Sequence, residues 1–131
     1  MAKAIHMMVR VMDEARSVDF YSKVLGLAVS GRYEWPDFTL IYMKNHEADF
    51  EIELTVNKGR GEPYELGTGY GHVAFVVDNL EAERTRILGL GFEPKDIKQM
   101  TFDGQPFGRF FFIEDPDGYK IEVLERGGRF R

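Results

Sequence analysis

A chain of 131 residues that is 44% hydrophobic and 14% aromatic can bury a real core in one compact domain, which excludes a disordered or fibrous protein. Its formal net charge of -5, with no long basic run, argues against nucleic acid and against an anionic membrane surface as the main partner. No apolar stretch approaches the ~18 residues of a spanning helix, and the amino terminus lacks a short apolar core with a small-residue cleavage site. The expectation is therefore a cytoplasmic protein with a small soluble ligand. The absence of cysteine excludes disulfides, thiolate zinc sites and a cysteine nucleophile, so any metal must be held by nitrogen and oxygen.

In chain order, residues 4–12 read as a strand. Asp13 is a helix N-cap, and Glu14–Leu25 reads as a helix with Val18, Tyr21, Val24 and Leu25 at helical spacing, stopped by Gly26. Three strands are expected next, at 27–34, Phe38–Lys44 and 49–56, separated by the turn-prone WPD and KNHEAD segments. The stretch 57–71 carries five glycines and a proline without periodicity, and reads as a linker. Residues 72–78 form the next expected strand, with Asn79 or Asp78 capping a helix that ends near Leu88 and is closed by Gly89 and Gly91. A short strand is expected to begin at 92–94. A loop over 103–108 and two strands at 109–114 and 119–125 follow, the last two joined by the tight turn Asp115-Pro116-Asp117-Gly118.

The second half thus repeats the first as βαβββ, and each half carries one histidine and one glutamate at matching places: His6 and Glu53, His72 and Glu122. Strand alternation puts His6 with Met8 and Arg10 on one face, against Ile5, Met7, Val9 and Val11 on the core face. It puts Glu51, Glu53 and Thr55 opposite Ile52, Leu54 and Val56, and Lys120, Glu122 and Leu124 opposite Tyr119, Ile121 and Val123. Any one of these histidines or carboxylates alone would be an ordinary strand residue facing water. Two of each at equivalent points outline a nitrogen and oxygen metal site about a pseudo-twofold axis. His46 has no counterpart and reads as an exposed turn residue. Asp13 and Asp78 are explained by capping, and Asp115 and Asp117 by the turn.

The segments IHMMVRVMDEARSVDFYSKVLGL, FEIELTVNKG, YELGTGYGHVAFVVDN and DPDGYKIEVLER together resemble the glyoxalase I, or lactoylglutathione lyase, family of the vicinal oxygen chelate superfamily, over most of the chain. The resemblance implies an α+β fold of two βαβββ modules in a single domain over 1–131, module one about 4–56 and module two about 72–125, with sheets curved around a metal cleft. It implies one divalent metal per site held by His6, Glu53, His72 and Glu122, with nickel favoured in short bacterial-type members and zinc or cobalt as competitors. The implied reaction isomerises the methylglyoxal-glutathione hemithioacetal to S-lactoylglutathione through an enediolate, with Glu122 as principal base and Glu53 as its symmetry-related partner. Arg10 takes the place of the family's arginine for the glutamyl carboxylate of glutathione, Asn57 that of its asparagine, and Lys98 is a candidate for the glycine carboxylate. Met8, Phe111 or neighbouring aromatics are candidates to line the aldehyde side. The family also implies a homodimer with sites at the interface.

Three other functions share parts of this pattern. An acyl-CoA epimerase, or a lyase for another thiol adduct, would use the same oxygen chelation and a glutamate base. A ring-cleaving dioxygenase would use two histidines and one glutamate, so Glu53 counts against it. A non-catalytic small-molecule binding or resistance protein would have no use for four ligands.

Overall fold

The computed structural model describes residues Met1–Arg131. Two compact units divide the chain, Met1–Glu65 and Leu66–Arg131, with the break inside the glycine-rich stretch. The first contains β1 (His6–Arg10), α1 (Glu14–Leu25), β2 (Ala28–Glu34), β3 (Phe38–Lys44) and β4 (Glu51–Asn57). The second contains β5 (Val73–Val77), α2 (Leu80–Gly89), β6 (Lys98–Phe102), β7 (Gln105–Glu114) and β8 (Lys120–Glu125). Each unit is one βαβββ module, as expected, and the fold is α+β.

Both modules build the same sheet, in the orders β1-β4-β3-β2 and β5-β8-β7-β6. The first and last strands of each are parallel neighbours, β1 with β4 and β5 with β8, because the helix carries the chain back across the sheet before the antiparallel meander begins. Ladder bonds beyond the strand ends, from Val11 N to Thr55 O at 3.0 Å and from Arg126 N to Val77 O at 2.8 Å, continue this pairing.

The helix ends follow their sequence signals closely. Asp13 accepts a hydrogen bond from Arg16 N at 2.8 Å, and Gly26 closes α1 in the left-handed conformation at φ 66. In the second module Asn79, not Asp78, is the cap, accepting from Ala82 N at 2.9 Å. Asp78 instead lies 2.7 Å from Arg126 Nε, so capping accounts for only one of the two matching aspartates. The buried face of α1 is Ser17, Phe20, Tyr21 and Val24, which leaves Val18 and Leu25 half-buried at its margins.

The cores are local to the modules. Val9, Ile41, Met43, Ile52 and Leu54 are buried beneath α1, and Phe111, Ile113, Ile121 and Val123 form the matching row in the second sheet. Burying such side chains is the largest favourable contribution to folding, about 1.5–3 kcal/mol for each aliphatic or aromatic side chain. Ile5 departs from the expected core row: it lies before β1 and is 59% exposed.

The main correction falls between residues 92 and 108. No strand forms at 92–94. The strand is β6, and the expected loop over 103–108 is a hairpin whose two turn residues, Asp103 and Gly104, both have positive φ, 50 and 74. Asp-Gly supplies the left-handed pair that a two-residue hairpin needs. Pro106 and Gly108, which read as strand breakers, are accommodated because β6 is an exposed edge and the register shifts between Met100 and Thr101.

Asp115 does structural work, as its turn motif suggests. It is 4% exposed, and its Oδ1 accepts from Asp117 N and Tyr119 N, both at 2.9 Å. Asp115→Ala leaves two backbone donors unsatisfied and is expected to cost about 2 kcal/mol in urea unfolding. Asp115→Asn, which keeps the acceptor oxygen, is expected to lose less than half of that.

Candidate metal centre

Each module presents one histidine and one glutamate on the sheet face away from its core. In the first, the register sets Glu53 of β4 beside Met8 of β1 and Tyr42 of β3, and the His6 imidazole reaches across so that its Nε2 stands 3.0 Å from Glu53 Oε2. In the second, Glu122 of β8 lies beside Ala74 of β5 and Phe112 of β7, with His72 Nε2 2.9 Å from Glu122 Oε2. An aromatic ring backs each imidazole edge-on: Tyr42 at 5.8 Å from His6 and Phe112 at 5.3 Å from His72. The two pairs are thus equivalent in strand, register and geometry.

The carboxylates sit deeper than the imidazoles. Side-chain exposure is 11% for Glu53 and 15% for Glu122, against 37% and 43% for His6 and His72. A carboxylate that far from water requires partners. Each has its histidine, and Glu53 also lies beside Tyr42 across the β3–β4 ladder. Burial, then the neighbouring Glu53 carboxylate, push the Tyr42 phenol above its ordinary value.

The donor set suits a divalent ion. Two donors about 2.1 Å from one ion and at right angles stand about 3.0 Å apart, which is the separation seen within each pair. Within a module the donors come as this pair, and no group of three or more histidine, aspartate and glutamate side chains forms.

Of the other expected site residues, Arg10 and Asn57 lie on the strands of His6 and Glu53, and Lys98 on the edge strand β6. Arg10 is exposed on the face of His6. Asn57, at the end of β4, donates from Nδ2 to the Tyr64 hydroxyl at 3.0 Å, and Lys98 is exposed at the start of β6. Met8 is 36% exposed on the His6 face, whereas Phe111 is wholly buried in the core. Phe111 is therefore not a lining residue; alternation gives that place to its neighbour Phe112. His46 is exposed in its turn.

Tyr42 is the site residue that the sequence reading missed. Its signal was present: Leu40, Tyr42 and Lys44 alternate with the buried Ile41 and Met43, which puts the phenol on the open face. There it joins Ser30, Gly31, Tyr33, Lys44 and Glu51 around a hollow of about 510 Å³. Glu51 is engaged by the Ser30 hydroxyl.

Residues 3–123 match the Glyoxalase/Bleomycin resistance protein/Dioxygenase superfamily. The chain belongs to that superfamily. Among its relatives, the lactoylglutathione lyase of Escherichia coli O157:H7 is 38% identical over 127 residues, covering 94% of this chain and 92% of the relative. The lactoylglutathione lyase of Haemophilus influenzae is 38% identical over 125 residues, with coverage of 92% and 90%. Among solved structures, the trypanothione-dependent glyoxalase I of Leishmania major superposes with a TM-score of 0.75 at 29% identity, covering 95% of this chain and 87% of that one. Glyoxalase I from Zea mays gives a TM-score of 0.82 at 26% identity, over 96% of this chain and 45% of the maize chain.

The sign of the tyrosine shift yields a prediction. A phenol raised by folding stabilises the fold below its unfolded value, and that contribution is lost as pH rises through the folded value. In an alkaline ultraviolet titration of metal-free protein, Tyr42 and Tyr70, both raised chiefly by burial, should ionise late, above the ordinary tyrosine range. Tyr42→Phe should remove one of these late steps.

Proposed function

We propose that this protein is a lactoylglutathione lyase that isomerises the hemithioacetal of glutathione and methylglyoxal to S-lactoylglutathione. The observation that carries the reading is the doubled His–Glu pair, set at the same register in both modules, in a chain whose relatives of that name match it nearly end to end. In this reading residues 1–131 act as one domain. His6, Glu53, His72 and Glu122 hold one divalent ion, and the protein works as a cytoplasmic homodimer in which each site draws ligands from both subunits.

The substrate carries a hydroxyl on C1 and a carbonyl on C2, and the reaction moves the C1 proton to C2 while the hydroxyl proton passes between the oxygens. A divalent ion in this donor set supplies Lewis acidity at the two adjacent oxygens, lowering the cost of the negative charge that builds there. Glu122 takes the proton from C1 and returns it to C2, with Glu53 as its symmetry-related partner. A carboxylate set deep beside the reacting carbons is shielded from water, so the proton can be returned before it exchanges. Arg10 pairs with the glutamyl carboxylate of the thiol through two parallel hydrogen bonds, the geometry a guanidinium favours. Asn57 and Lys98 complete the recognition of the tripeptide.

Nickel is the favoured ion, in line with short bacterial-type members of the family, with zinc or cobalt able to fill the same donors. The second reading is a lyase for a different thiol adduct. The structural relative from Leishmania major described as trypanothione-dependent supports it, since the same scaffold there serves another thiol.

The deciding experiment strips the protein of metal, restores nickel or zinc separately, and follows thioester absorbance from preformed hemithioacetal. Activity that depends on the ion, higher with nickel, is the expected outcome. Stoichiometric metal binding without turnover would move the substrate to another thiol or to the epimerase class. Glu122→Gln should lower kcat by about 10³-fold while leaving KM nearly unchanged, and normal turnover in that variant would remove Glu122 from the base role.

A further inference from the structure

We infer that the hollow beside Tyr42 receives the aldehyde-derived end of the substrate and selects a hydroxylated carbon chain over an apolar one. The inference rests on the lyase reading above and names the substrate class for that site. Arg10 and Asn57, assigned there to the thiol, lie toward the carboxyl ends of β1 and β4, which run parallel. Glu51 lies on the other side of Glu53, two residues before it and so on the same face of β4. The hollow opens there, between Glu51, Tyr42 of β3 and Ser30 of β2. A substrate centred at Glu53 with its peptide toward Asn57 therefore directs its other end toward Glu51.

The hollow holds about 510 Å³, far more than the methyl group of methylglyoxal fills, and its walls are polar. Ser30 Oγ donates to the Glu51 carboxylate, which has further lone pairs to accept hydroxyl protons. Lys44 Nζ stands 3.3 Å from Asp49 Oδ1 in an exposed pair, which is weak and occupies one of three ammonium donors. Gly31 admits Tyr33: a Cβ added there would stand 3.0 Å from Tyr33 Cε2 and 3.3 Å from its hydroxyl oxygen. The ladder also shifts register between Val29 and Gly31. The Tyr33 and Tyr42 rings meet edge-on at 6.2 Å, and each offers an apolar face with a phenolic rim. An apolar substituent would strip water from Glu51 and Lys44 without replacing its hydrogen bonds. A chain of hydroxylated carbons sets its C–H groups against the rings and its hydroxyls against Glu51 and Lys44.

The test compares two unreactive glutathione thioethers on zinc-loaded protein, S-pentylglutathione and S-(4,5-dihydroxypentyl)glutathione. Trp35, the only tryptophan of the chain, has its ring 6.5 Å from that of Tyr33, so its fluorescence reports occupancy of the hollow. The dihydroxy thioether should bind about tenfold more tightly than the pentyl one, because a site that hydrogen-bonds hydroxyls rejects the analogue lacking them. In turnover, the glutathione hemithioacetal of 3-deoxyglucosone, which carries three hydroxyls beyond its dicarbonyl, should exceed that of 2-oxohexanal in kcat/KM by about the same factor. Glu51→Leu and Lys44→Met should each erase most of this preference, in Kd and in kcat/KM. Equal affinity for the two thioethers, tighter binding of the pentyl one, or binding of neither overturns the inference. A preference that survives both substitutions removes it from this hollow. If no hemithioacetal yields thioester, the lyase reading falls, while the two thioether affinities still decide what the hollow selects.

Discussion

The parallel pairing of the first strand of each module with its last is the constraint on which the site depends. It brings residues near the start of a module beside residues near its end, so that an imidazole and a carboxylate far apart in the chain meet at 3.0 Å in one module and 2.9 Å in the other. The pairing requires the helix, because parallel strands cannot be joined by a tight turn. The caps at Asp13, Gly26 and Asn79 therefore contribute to the site by setting where each crossover begins and ends.

A one-residue slip in either parallel pair would turn the glutamate into the core and an apolar side chain out to the histidine. What prevents the slip is the buried row on the opposite face: Val9, Ile52 and Leu54 in one sheet, Ile121 and Val123 in the other. The hydrophobic side of the strand thus specifies the chemistry of its polar side. In the second module the Asp115 turn adds a local constraint, since its hydrogen bonds to Asp117 and Tyr119 set the point at which the strand bearing Glu122 starts.

Most of this architecture was legible in the sequence because its signals are local. Phe38–Lys44 and Glu14–Leu25 have the bounds read from alternation, helical spacing and caps. The His and Glu positions were legible because the chain states them twice. Reading failed where a local signal has two meanings: Pro106 and Gly108 resemble loop residues until an exposed edge strand and a shifted register accommodate them. It left Phe111 and its neighbouring aromatics undivided, in a continuous apolar run where only the pairing of Phe112 with Glu122 says which one shares the face of that carboxylate.

Tyr42 shows why the repeat was both the strongest guide and a blind spot. Looking for residues that recur selects what the modules share, and the shared residues are those suited to holding an ion. Residues that do not recur are passed over by such a search. Such residues become visible only when equivalent positions are compared in register, one strand away from the ligands themselves. At that distance the two halves differ by a phenol hydroxyl against a bare ring, Tyr42 beside Glu53 and Phe112 beside Glu122.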